Sequence, residues 1–596
     1  MEVPSILLLT IQLKRGEASN PRICIYKDGN NATETSMTFT SAYGSYDAYE
    51  AELSISEAGL YWYHFKFDVG EHNTIYVPEH AGGAFQITAY NKPTKTPDWL
   101  HGGIIYHIFV DRFYGDGQIR LGRGATHRAD WGGCPYFLPD ENGIVHNSDF
   151  FGGNLYGVIE KLPYLEEMGV NCIYLSPVFE ALSNHKYDTS DYMKVDDAFG
   201  GDEALELLCK EASKHGMRVI LDGVFNHVGS DSIYFNRYGH YDTVGAYQDE
   251  NSPYRDWFTF NDDGTYEAWW GIELLPALNK HNKQYIEFLC GKDGVIEHWM
   301  KKGVAGWRLD VVDEIPDILL DPLCKAMKDT KDDTLIVGEV WEDASNKIAY
   351  SVRRRYFQGG QLDSVTNYPL KDAIIACVKD GDVARLAYTV DSLCRNYPKN
   401  VLDSLMNILG THDTMRILTA LGGSDFPPDR PGMSQFKLSE NELYLAKKRL
   451  KLASALQFTL PGVPCVYYGD EAGMEGGADP FCRICYPWGN EDNALIEWYQ
   501  KLAKIRKEYP CFKDGEYTLV EAMDGLFAFT RGEGKSRILI AINVSDYERV
   551  VTIKGFNTDL INNAKVSFLI VQPLGVGMFK QSLPAKKITK KPSKER

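Results

Sequence analysis

The sequence lacks a hydrophobic stretch long enough to cross a membrane. Purely apolar runs such as residues 6–9 and 538–542 are only a few residues long, whereas a transmembrane helix needs about 20 apolar residues. Positive charge is also in short supply, because 63 Lys and Arg stand against 82 Asp and Glu and leave a formal net charge of −19. Such a surface repels nucleic acid and anionic lipid. We therefore expect neither nucleic acid nor a membrane as a partner.

The sequence also lacks a cysteine framework, and we expect its first residues not to be a secretory leader. Its 12 cysteines are spread through the chain, and Cys172, Cys290 and Cys465 lie inside apolar runs, which is typical of reduced core thiols. No positively charged segment precedes the apolar run at residues 6–9, and no small-residue cleavage site follows it cleanly. We expect this run to be a first β-strand and the protein to be cytoplasmic.

Aromatic residues, in contrast, are abundant and make up 12% of the chain. Many must serve the core, but several lie beside polar residues; these are Trp131, Tyr187, Trp257, Trp269, Trp270 and Trp341. Flat apolar rings edged by hydrogen-bonding groups suit the C–H faces of sugars. Composition alone leaves both uses open.

The alternation of residue types divides the chain into three regions. At about 150 residues per domain, 596 residues correspond to roughly four domains' worth of chain. Residues 1–95 read as short alternating runs broken by turn residues, which predicts a β-sandwich, and residues 91–98 form a linker with Pro and Lys. Strand-like runs return in residues 509–596, which we predict to be a second β-sandwich ending in a basic tail at 586–596.

The middle region, residues 96–508, alternates short β-branched runs with amphipathic helical segments. The predicted strands are 104–110, 171–176, 218–222, 306–311, 335–340, 363–366, 404–409 and 465–468, and the helical segments include 156–168, 202–215 and 443–456. Eight such strands favour an α/β fold of the (β/α)8 TIM-barrel type over an open doubly wound sheet. The long aromatic stretch 228–282 follows the third strand, and we predict an inserted subdomain because unstructured loops of that length are rare.

Polar residues concentrate where the predicted strands end. The segments are DGVFNH at 222–227 after the third strand, WRLD at 307–310 after the fourth, GEVW at 338–341 after the fifth and GTHD at 410–413 after the seventh. In a barrel of this kind, chemistry gathers at the carboxyl ends of the strands. We expect these side chains to converge at one mouth; they are Asp222, His227, Arg308, Asp310, Glu339, His412 and Asp413.

These residue types indicate acetal chemistry. The sequence shows no Ser/His/Asp order, no Walker loop and no HExxH motif. A glycosidic bond breaks when one carboxylic acid protonates the leaving oxygen and a carboxylate attacks the anomeric carbon. The alternative is an internal salt-bridge network around Arg308, which by itself is expected to leave Glu339 and Asp413 unexplained.

The four segments resemble the four signature regions of the α-amylase family of retaining glycosidases. Further stretches are similar to the neopullulanase, cyclomaltodextrinase and maltogenic amylase branch; they are YHIFVDRF at 106–113, NHKYDTSDY at 184–192, LPALN at 275–279, NYPL at 367–370 and GVPCVYYGDE at 462–471. The resemblance covers roughly residues 97–490, and it is carried by the order and strand context of the motifs.

The resemblance implies catalytic roles for three residues. Asp310 would be the nucleophile, Glu339 the general acid and base, and Asp413 the stabiliser of the transition state. An oxocarbenium-like transition state needs anions near its developing charge and a protonated carboxyl for the departing oxygen. We predict the retaining separation of about 5 to 5.5 Å between the carboxyl groups of Asp310 and Glu339.

The resemblance also implies binding roles. Arg308 would orient the nucleophile through a bidentate contact, and Asp222 would bridge this arginine and the loop. His227 and His412 would bind sugar hydroxyls, while Tyr187 stacks beneath the ring whose bond breaks.

Two motifs depart from the pattern and leave selectivity open. Residues 311–314 read VVDE where many relatives carry Ala-Asn-Glu, and Glu342 stands where relatives often have His. The LPALN motif favours neopullulanase-like enzymes over strict α-amylases, although apolar loop packing explains its leucines equally well.

Calcium is a candidate cofactor, and we expect no other. Some relatives hold it in the first loop, and the partly matching residues here are Asp111, Asp116, Gly153 and Asn154. Cys482 and Cys485 read as ordinary loop cysteines, because zinc would need a second pair at suitable spacing.

The sequence thus predicts a cytoplasmic retaining hydrolase of α-1,4-glucosidic bonds, with α-1,6 cleavage left open. Its expected partners are α-glucan oligosaccharides and polysaccharides, namely cyclomaltodextrins, maltooligosaccharides, pullulan and starch. The amino-terminal sandwich resembles an accessory domain that covers a partner subunit's active site in relatives, which implies a homodimer. Two alternatives remain, a transglycosylating enzyme of the same family and a non-catalytic glucan-binding subunit.

Overall fold

The computed structural model describes residues 1–70, 73–78, 83–92, 95–141, 143–423 and 425–581. Within them, eight parallel strands form a barrel. Barrel strands 1 to 8 are Ile105–Ile108, Cys172–Leu175, Arg218–Gly223, Gly306–Leu309, Leu335–Gly338, Ser364–Val365, Met406–Ile408 and Val463–Tyr467. Each of strands 1 to 5 pairs with the next, and strand 8 pairs with strands 1 and 7. A parallel bridge between Thr366 and Met406 closes the ring, so the predicted barrel is confirmed.

Helices follow most of the barrel strands. They are Leu155–Glu160, Leu162–Glu167, Gly201–Lys214, Lys283–Cys290, Val295–Lys301, Asp317–Thr330, Tyr368–Asp380, Val383–Asn396, Lys399–Leu402, Ile417–Gly422, Arg430–Gln435, Glu440–Thr459, Asn493–Glu508 and Cys511–Asp514. The helix Glu440–Thr459 begins with a capping box, in which Ser439 and Glu442 bond each other's backbone N–H groups. Short 3₁₀ helices lie at Val110–Arg112, Asp197–Phe199, Arg255–Trp257, Trp269–Gly271, Val312–Glu314 and Gly534–Ser536.

One predicted helix is divided. The segment 156–168 forms two helices, Leu155–Glu160 and Leu162–Glu167, which meet at Lys161. Pro163 has no backbone N–H to donate to the preceding turn, and its ring disfavours a continuous helix there. The two other helical segments singled out in the sequence, 202–215 and 443–456, lie almost wholly within single helices.

The barrel interior changes from apolar to polar along the strands. Buried side chains such as Ile220 and Val337 belong to an apolar cluster inside the barrel. Two residues further along the chain, and therefore on the same face, come Asp222 within barrel strand 3 and Glu339 directly after barrel strand 5. The apolar layer holds the strands together, and the polar layer lies at their carboxyl ends, where a site can open to solvent.

The insertion after barrel strand 3 is poor in regular structure. Residues 228–282 contain two of the 3₁₀ helices and several isolated bridges, including Phe258 with Leu278 and Ala268 with Pro276. Aromatic side chains such as Tyr234, Phe235 and Trp257 are buried in it. The predicted inserted subdomain is therefore built on an aromatic core instead of long helices or strands.

The amino-terminal region is a β-structure of two sheets. Its strands are Ser5–Lys14, Ser19–Lys27, Thr33–Ser36, Thr38–Tyr43, Tyr46–Ile55, Gly59–Val69, Asn73–Val77 and Phe85–Ala89. Ile23 and Phe65 from one sheet pack with Leu53 from the other in one apolar cluster, which is the arrangement of a sandwich. The residues 6–9 predicted as a first strand lie in Ser5–Lys14.

The carboxyl-terminal region is also all-β. Its strands are Tyr517–Met523, Leu526–Arg531, Ile538–Asn543, Arg549–Val550, Phe556–Asp559, Ala564–Lys565, Ile570–Val571 and Gly575–Gln581. The predicted strand 566–571 is shorter than expected and covers only Ile570–Val571. The basic tail at 586–596 lies outside the described residues, and the domain boundaries after residues 95 and 508 stay predictions.

Three short strand pairs lie in loops of the barrel region. They are Thr126–His127 with Asp149–Phe150, Phe179–Ala181 with Thr189–Val195, and Ile348–Ala349 with Val352–Arg353. All twelve cysteines lie in the described residues, and each is free. No helix within the described ranges has the length and apolarity that a membrane span requires.

Candidate active site

The barrel brings the predicted polar residues together through its strand register. Asp222 in barrel strand 3 lies opposite Arg308 in barrel strand 4, and residues opposite each other in neighbouring strands share a face of the sheet. Asp310 lies two residues beyond Arg308 and therefore on the same face. Glu339 follows barrel strand 5, where its backbone N–H donates to the carbonyl oxygen of Leu309 at 3.0 Å.

Arg308 is the centre of an ion network. Its Nη1 donates to Oδ1 of Asp222 at 2.8 Å and to Oδ1 of Asp310 at 2.8 Å. Its Nη2 lies 2.9 Å from Oε1 of Glu339. All four side chains are buried. One arginine thus holds three carboxylates, and its contact with Asp310 uses one nitrogen instead of the bidentate pair implied by the resemblance.

This network corrects one inference from the sequence. The salt-bridge alternative was expected to leave both Glu339 and Asp413 unexplained, but Glu339 belongs to the network. Three buried carboxylates sharing one guanidinium carry an excess negative charge when all are ionised, and burial of that charge favours retention of a proton. A proton held beside a cavity is what general acid catalysis requires. The ion network is therefore compatible with a catalytic role for its carboxyl groups.

Glu339 has two further contacts. The indole Nε1 of Trp341 donates to its Oε1 at 3.2 Å, and the backbone N–H of Val311 donates to its Oε2 at 2.9 Å. Val311 has a φ of 41°, in the left-handed region that a β-branched residue rarely adopts. The strained backbone aims this N–H at the carboxylate, and such strain is characteristic of functional sites.

Asp413 is the most exposed of the candidate acids, with 32% of its side chain accessible. Nη2 of Arg483 donates to its Oδ1 at 3.3 Å, and Nε2 of His412 lies 3.1 Å from its Oδ2. Arg483 also donates through Nε to the carbonyl oxygen of His412 at 2.8 Å. Arg483 therefore positions both residues after barrel strand 7.

Sequence reasoning missed Arg483. It lies between Cys482 and Cys485, which the sequence predicts to be ordinary loop cysteines, and its position after barrel strand 8 was the available signal. Sγ of Cys482 donates to the carbonyl oxygen of His412 at 3.0 Å, so this cysteine supports the same loop. Tyr174 was also missed; its hydroxyl donates to Oδ2 of Asp222 at 2.6 Å.

Tyr187 and two histidines complete the polar surface. The Tyr187 hydroxyl donates to Oδ2 of Asp222 at 2.8 Å, and its ring lies nearly parallel to that of His412, with centroids 5.2 Å apart. The ring of His227 stacks on Trp269. Nε2 of His227 and Nδ1 of His412 are buried without a hydrogen-bond partner in the described part of the chain. Because buried polar groups normally have partners, both nitrogens are candidates for hydrogen bonds with a ligand's hydroxyls.

Burial controls the protonation of these groups. It lowers the pKa of His227 to about 3 and that of His412 well below its ordinary value, so both imidazoles are neutral near pH 7. Burial also raises the pKa of Asp310 well above its ordinary value, opposed by the positive charge of Arg308 and reinforced by the negative charge of Glu339.

The candidate acids line one cavity of about 1450 Å³. Asp310, Glu339 and Asp413 all face it, and its walls carry aromatic side chains; these are Tyr187, Tyr238, Trp269, Trp270, Trp341 and Tyr350. Pockets for single small ligands are about 300–1,000 Å³. The larger volume here suits a chain of several sugar rings.

The residues proposed for calcium are bonded to other protein groups. Asp111 accepts from Nε of Arg112 at 2.7 Å. Oδ2 of Asp116 accepts from Nη2 of Arg120 at 2.9 Å, and its Oδ1 accepts from Nδ2 of Asn154 at 2.9 Å.

The expected calcium ligands are Asp111, Asp116, Gly153 and Asn154. Calcium needs six to eight oxygen ligands, but guanidinium and amide nitrogens surround the carboxylates of Asp111 and Asp116. In the residues that the structure describes, no group of three or more His, Cys, Asp or Glu could hold a metal ion. The arrangement does not fit calcium, and the calcium site stays a prediction from the sequence.

Fold and site together define a class, the (β/α)8-barrel proteins that carry a cluster of carboxylates in a sugar-sized cleft at the carboxyl ends of the strands. The chain belongs to the α-amylase family, because its residues 107–494 match the model for the alpha amylase catalytic domain. The family predicted from the motifs is confirmed.

Individual relatives agree with this assignment. An amylopullulanase from Thermoanaerobacterium saccharolyticum is 35% identical over an alignment of 626 positions, gaps included, which covers 93% of this chain and 48% of that protein. A cyclomaltodextrinase from Geobacillus thermopakistaniensis is 33% identical over 471 residues, 76% of this chain and 70% of that protein. The chain spans about half the length, or less, of the amylopullulanases that it matches.

A solved structure extends the likeness beyond the barrel. The type III pullulan hydrolase from Thermococcus kodakarensis superposes with a TM-score of 0.69 and 26% sequence identity, and the match covers 97% of both chains.

Proposed function

We propose that the chain is a retaining glycoside hydrolase that opens α-1,4-glucosidic bonds in cyclomaltodextrins, maltooligosaccharides, starch and pullulan. One observation carries the proposal: Asp310, Glu339 and Asp413, which follow three different barrel strands, line a single cavity. The names of the relatives support the substrate class, since they include a cyclomaltodextrinase, amylopullulanases and a neopullulanase.

In the first step, a carboxylate oxygen of Asp310 attacks the anomeric carbon. The bond from that carbon to the glycosidic oxygen breaks, and the proton of Glu339 passes to the departing oxygen. Arg308 contacts both acids and keeps them beside the same bond. Asp413 stabilises the positive charge that develops on the sugar ring.

In the second step, water replaces the departed sugar. Glu339, now ionised, takes a proton from the water, whose oxygen attacks the anomeric carbon and releases the carboxylate of Asp310. Two inversions at one carbon give net retention of the α-anomer. His227 and His412, both neutral, offer ring nitrogens to sugar hydroxyls, and Tyr187 packs against the ring that reacts.

A substrate panel tests the proposal. The purified protein is incubated with cyclomaltodextrins, maltooligosaccharides, starch and pullulan, and the products are separated by size. We expect shorter glucans from the wild type and none from Asp310→Asn with an unchanged circular dichroism spectrum. Products longer than the substrate would indicate transfer to a sugar hydroxyl, and substantial turnover by the variant would remove Asp310 from the nucleophile's role.

We further propose a homodimer in the cytoplasm. The amino-terminal sheet exposes large apolar side chains, namely Ile6, Leu8, Phe39, Tyr43 and Tyr46, which a second subunit could cover. The twelve free thiols suit a reducing compartment. Sedimentation of the purified protein tests the dimer, and a monomer at high concentration contradicts it.

A further inference from the structure

A strained hairpin borders the catalytic cavity. Strands Ile348–Ala349 and Val352–Arg353 pair antiparallel, and the two residues of the turn, Tyr350 and Ser351, have φ values of 51° and 64°. Two-residue turns with both φ angles positive normally use Asn-Gly, because other side chains are strained there. This strained turn keeps a large aromatic residue at its tip, which points to a function for that residue.

The tip of the hairpin faces the cavity. Tyr350 lines the cavity wall, yet 71% of it is exposed. The hairpin begins at Ile348, nine residues after Glu339, and Trp341 between them contacts Glu339 directly. Because Glu339 must touch the departing oxygen, the wall formed by the residues that follow it adjoins the leaving sugar.

A second exposed ring lies on the same wall. Trp270 also has a left-handed φ, 52°, lines the cavity and is 80% exposed. Its indole Nε1 and that of Trp269 donate to Oε1 of Glu314 at 3.0 and 3.1 Å. Partial burial and the negative charge of Glu314 raise the pKa of Tyr350. Glu314 thus fixes Trp270 and lies close to Tyr350.

The base of the hairpin is tied to the amino-terminal sandwich. Nε of Arg353 donates to Oδ2 of Asp28 at 2.8 Å and Nη2 to Oδ1 at 3.2 Å. The indole Nε1 of Trp62 donates to the same Asp28 at 3.2 Å. The hydrogen bond with Arg353 lowers the pKa of Asp28, so the pair is ionised near pH 7.

Two more contacts hold the approach to the hairpin. Buried Gln86 in the sandwich donates through Nε2 to Oγ of Ser345 at 2.9 Å, and its Oε1 accepts from Nδ2 of Asn346 at 2.8 Å. On the cavity side, Nζ of Lys347 lies 3.2 Å from Oδ2 of Asp313. The segment is therefore held between the sandwich on one side and the catalytic loop on the other.

We propose that Tyr350 binds the glucosyl unit on the leaving-group side of the scissile bond, and that the amino-terminal sandwich positions it through the Asp28–Arg353 ion pair. Tyr350 is the residue that contacts sugar; Asp28 and Arg353 are positioning residues. The inference rests on the proposed hydrolase function and adds a role for the sandwich within its own chain.

Two substrates separate this role from general folding effects. Maltoheptaose places sugars on both sides of the bond that breaks, whereas α-maltosyl fluoride has fluoride as its leaving group and leaves the sugar site beside Tyr350 empty. An aromatic contact with a sugar ring corresponds to about a five- to tenfold change in KM. We therefore expect Tyr350→Ala to raise KM for maltoheptaose by that factor and to leave KM for α-maltosyl fluoride within about twofold.

A double-mutant cycle tests the positioning. Asp28→Asn should raise KM for maltoheptaose by about two- to threefold, and it should add nothing in the Tyr350→Ala background, because the residue it positions is then absent. Asp47→Asn, which removes another ion pair of the sandwich, that with Arg15 at 2.8 Å, is the matched control and should leave KM unchanged. Additive effects, or equal effects on both substrates, would overturn the proposal.

Failure of the proposed function gives a different pattern. A wild-type protein that cleaves neither substrate contradicts the hydrolase itself. Calorimetric binding of maltoheptaose then tests Tyr350 alone: weaker binding by Tyr350→Ala than by the wild type supports the sugar contact, and equal binding overturns it.

Discussion

Nη1 of Arg308 lies 2.8 Å from Oδ1 of Asp310. The same guanidinium reaches Glu339 through Nη2, so the proposed nucleophile and the proposed acid share one cation. Charge-assisted contacts of this kind fix geometry as well as charge. Arg308 can hold the carboxyl groups of Asp310 and Glu339 beside the same glycosidic bond without touching the substrate.

Replacing this arginine tests the shared contact. Lysine carries one nitrogen and cannot bind Asp310 and Glu339 through two separate nitrogens. We expect Arg308→Lys to lower kcat/KM for maltoheptaose by about 100-fold, while circular dichroism stays that of the wild type. A loss smaller than about threefold would show that the two acids keep their positions without the guanidinium.

The fall of kcat/KM at acidic pH, the acid limb of the pH profile, should follow the protonation of Asp310. Its pKa is raised by burial and by nearby carboxylates that include Asp222, and protonated Asp310 cannot attack, so kcat/KM should fall as the pH falls through that raised pKa. His227, with a pKa of about 3, is neutral over this range. Asp222→Asn removes one negative neighbour, which lowers the pKa of Asp310 and should move the limb to lower pH.

The position of the limb is independent of the variant's overall rate, so the pH profile stays readable even when Asp222→Asn is slow. A limb that stays in place, or that moves to higher pH, would contradict the assignment of this titration to Asp310.

Two adjacent valines should differ in their response to replacement by glycine. Val311 has a left-handed φ, and relief of that strain, about 1–2 kcal/mol, offsets the roughly 1 kcal/mol that glycine loses in backbone entropy. Val312 is fully buried, so Val312→Gly should cost about 2–4 kcal/mol. The midpoint of urea unfolding should therefore fall for Val312→Gly and stay near that of the wild type for Val311→Gly. Equal falls would remove the claim of strain at Val311.

Removal of calcium should have no effect on stability. Asp111 and Asp116 already pair with Arg112 and Arg120, and these guanidinium groups take the place of a metal ion's charge. We expect the thermal midpoint to be the same with EDTA and with added calcium. A midpoint that falls with EDTA and recovers with calcium would restore the metal site suggested by the sequence.

Much of the fold could be predicted from the sequence because the barrel strands are short β-branched runs between amphipathic helices. Their ends were less predictable. The run at 404–409 forms a strand only at Met406–Ile408, since a ladder extends only as far as its neighbours do. Periodicity alone also did not reveal that the amphipathic segment 156–168 holds two helices. The division lies next to Pro163, which disfavours a continuous helix.

The site residues that directly follow barrel strands could be predicted from the sequence. Contacts made by residues in distant loops could not. Asp310 and Glu339 could be placed because each directly follows a buried strand. Glu339's bond to Arg308 depends on the register between strands, which periodicity does not give. Arg483 and Tyr350 lie in loops whose course is set by tertiary contacts. The position of Arg483 after barrel strand 8 was its only signal in the sequence, and no local pattern marked Tyr350.

The most direct test is to trap the intermediate on the nucleophile. The wild-type protein is treated with 5-fluoro-α-maltosyl fluoride, whose ring fluorine slows hydrolysis of the glycosyl-enzyme, and is then digested and examined by mass spectrometry. The account predicts a sugar adduct on the peptide that contains Asp310. An adduct on Asp413 or Glu339, or turnover without any adduct, would contradict it.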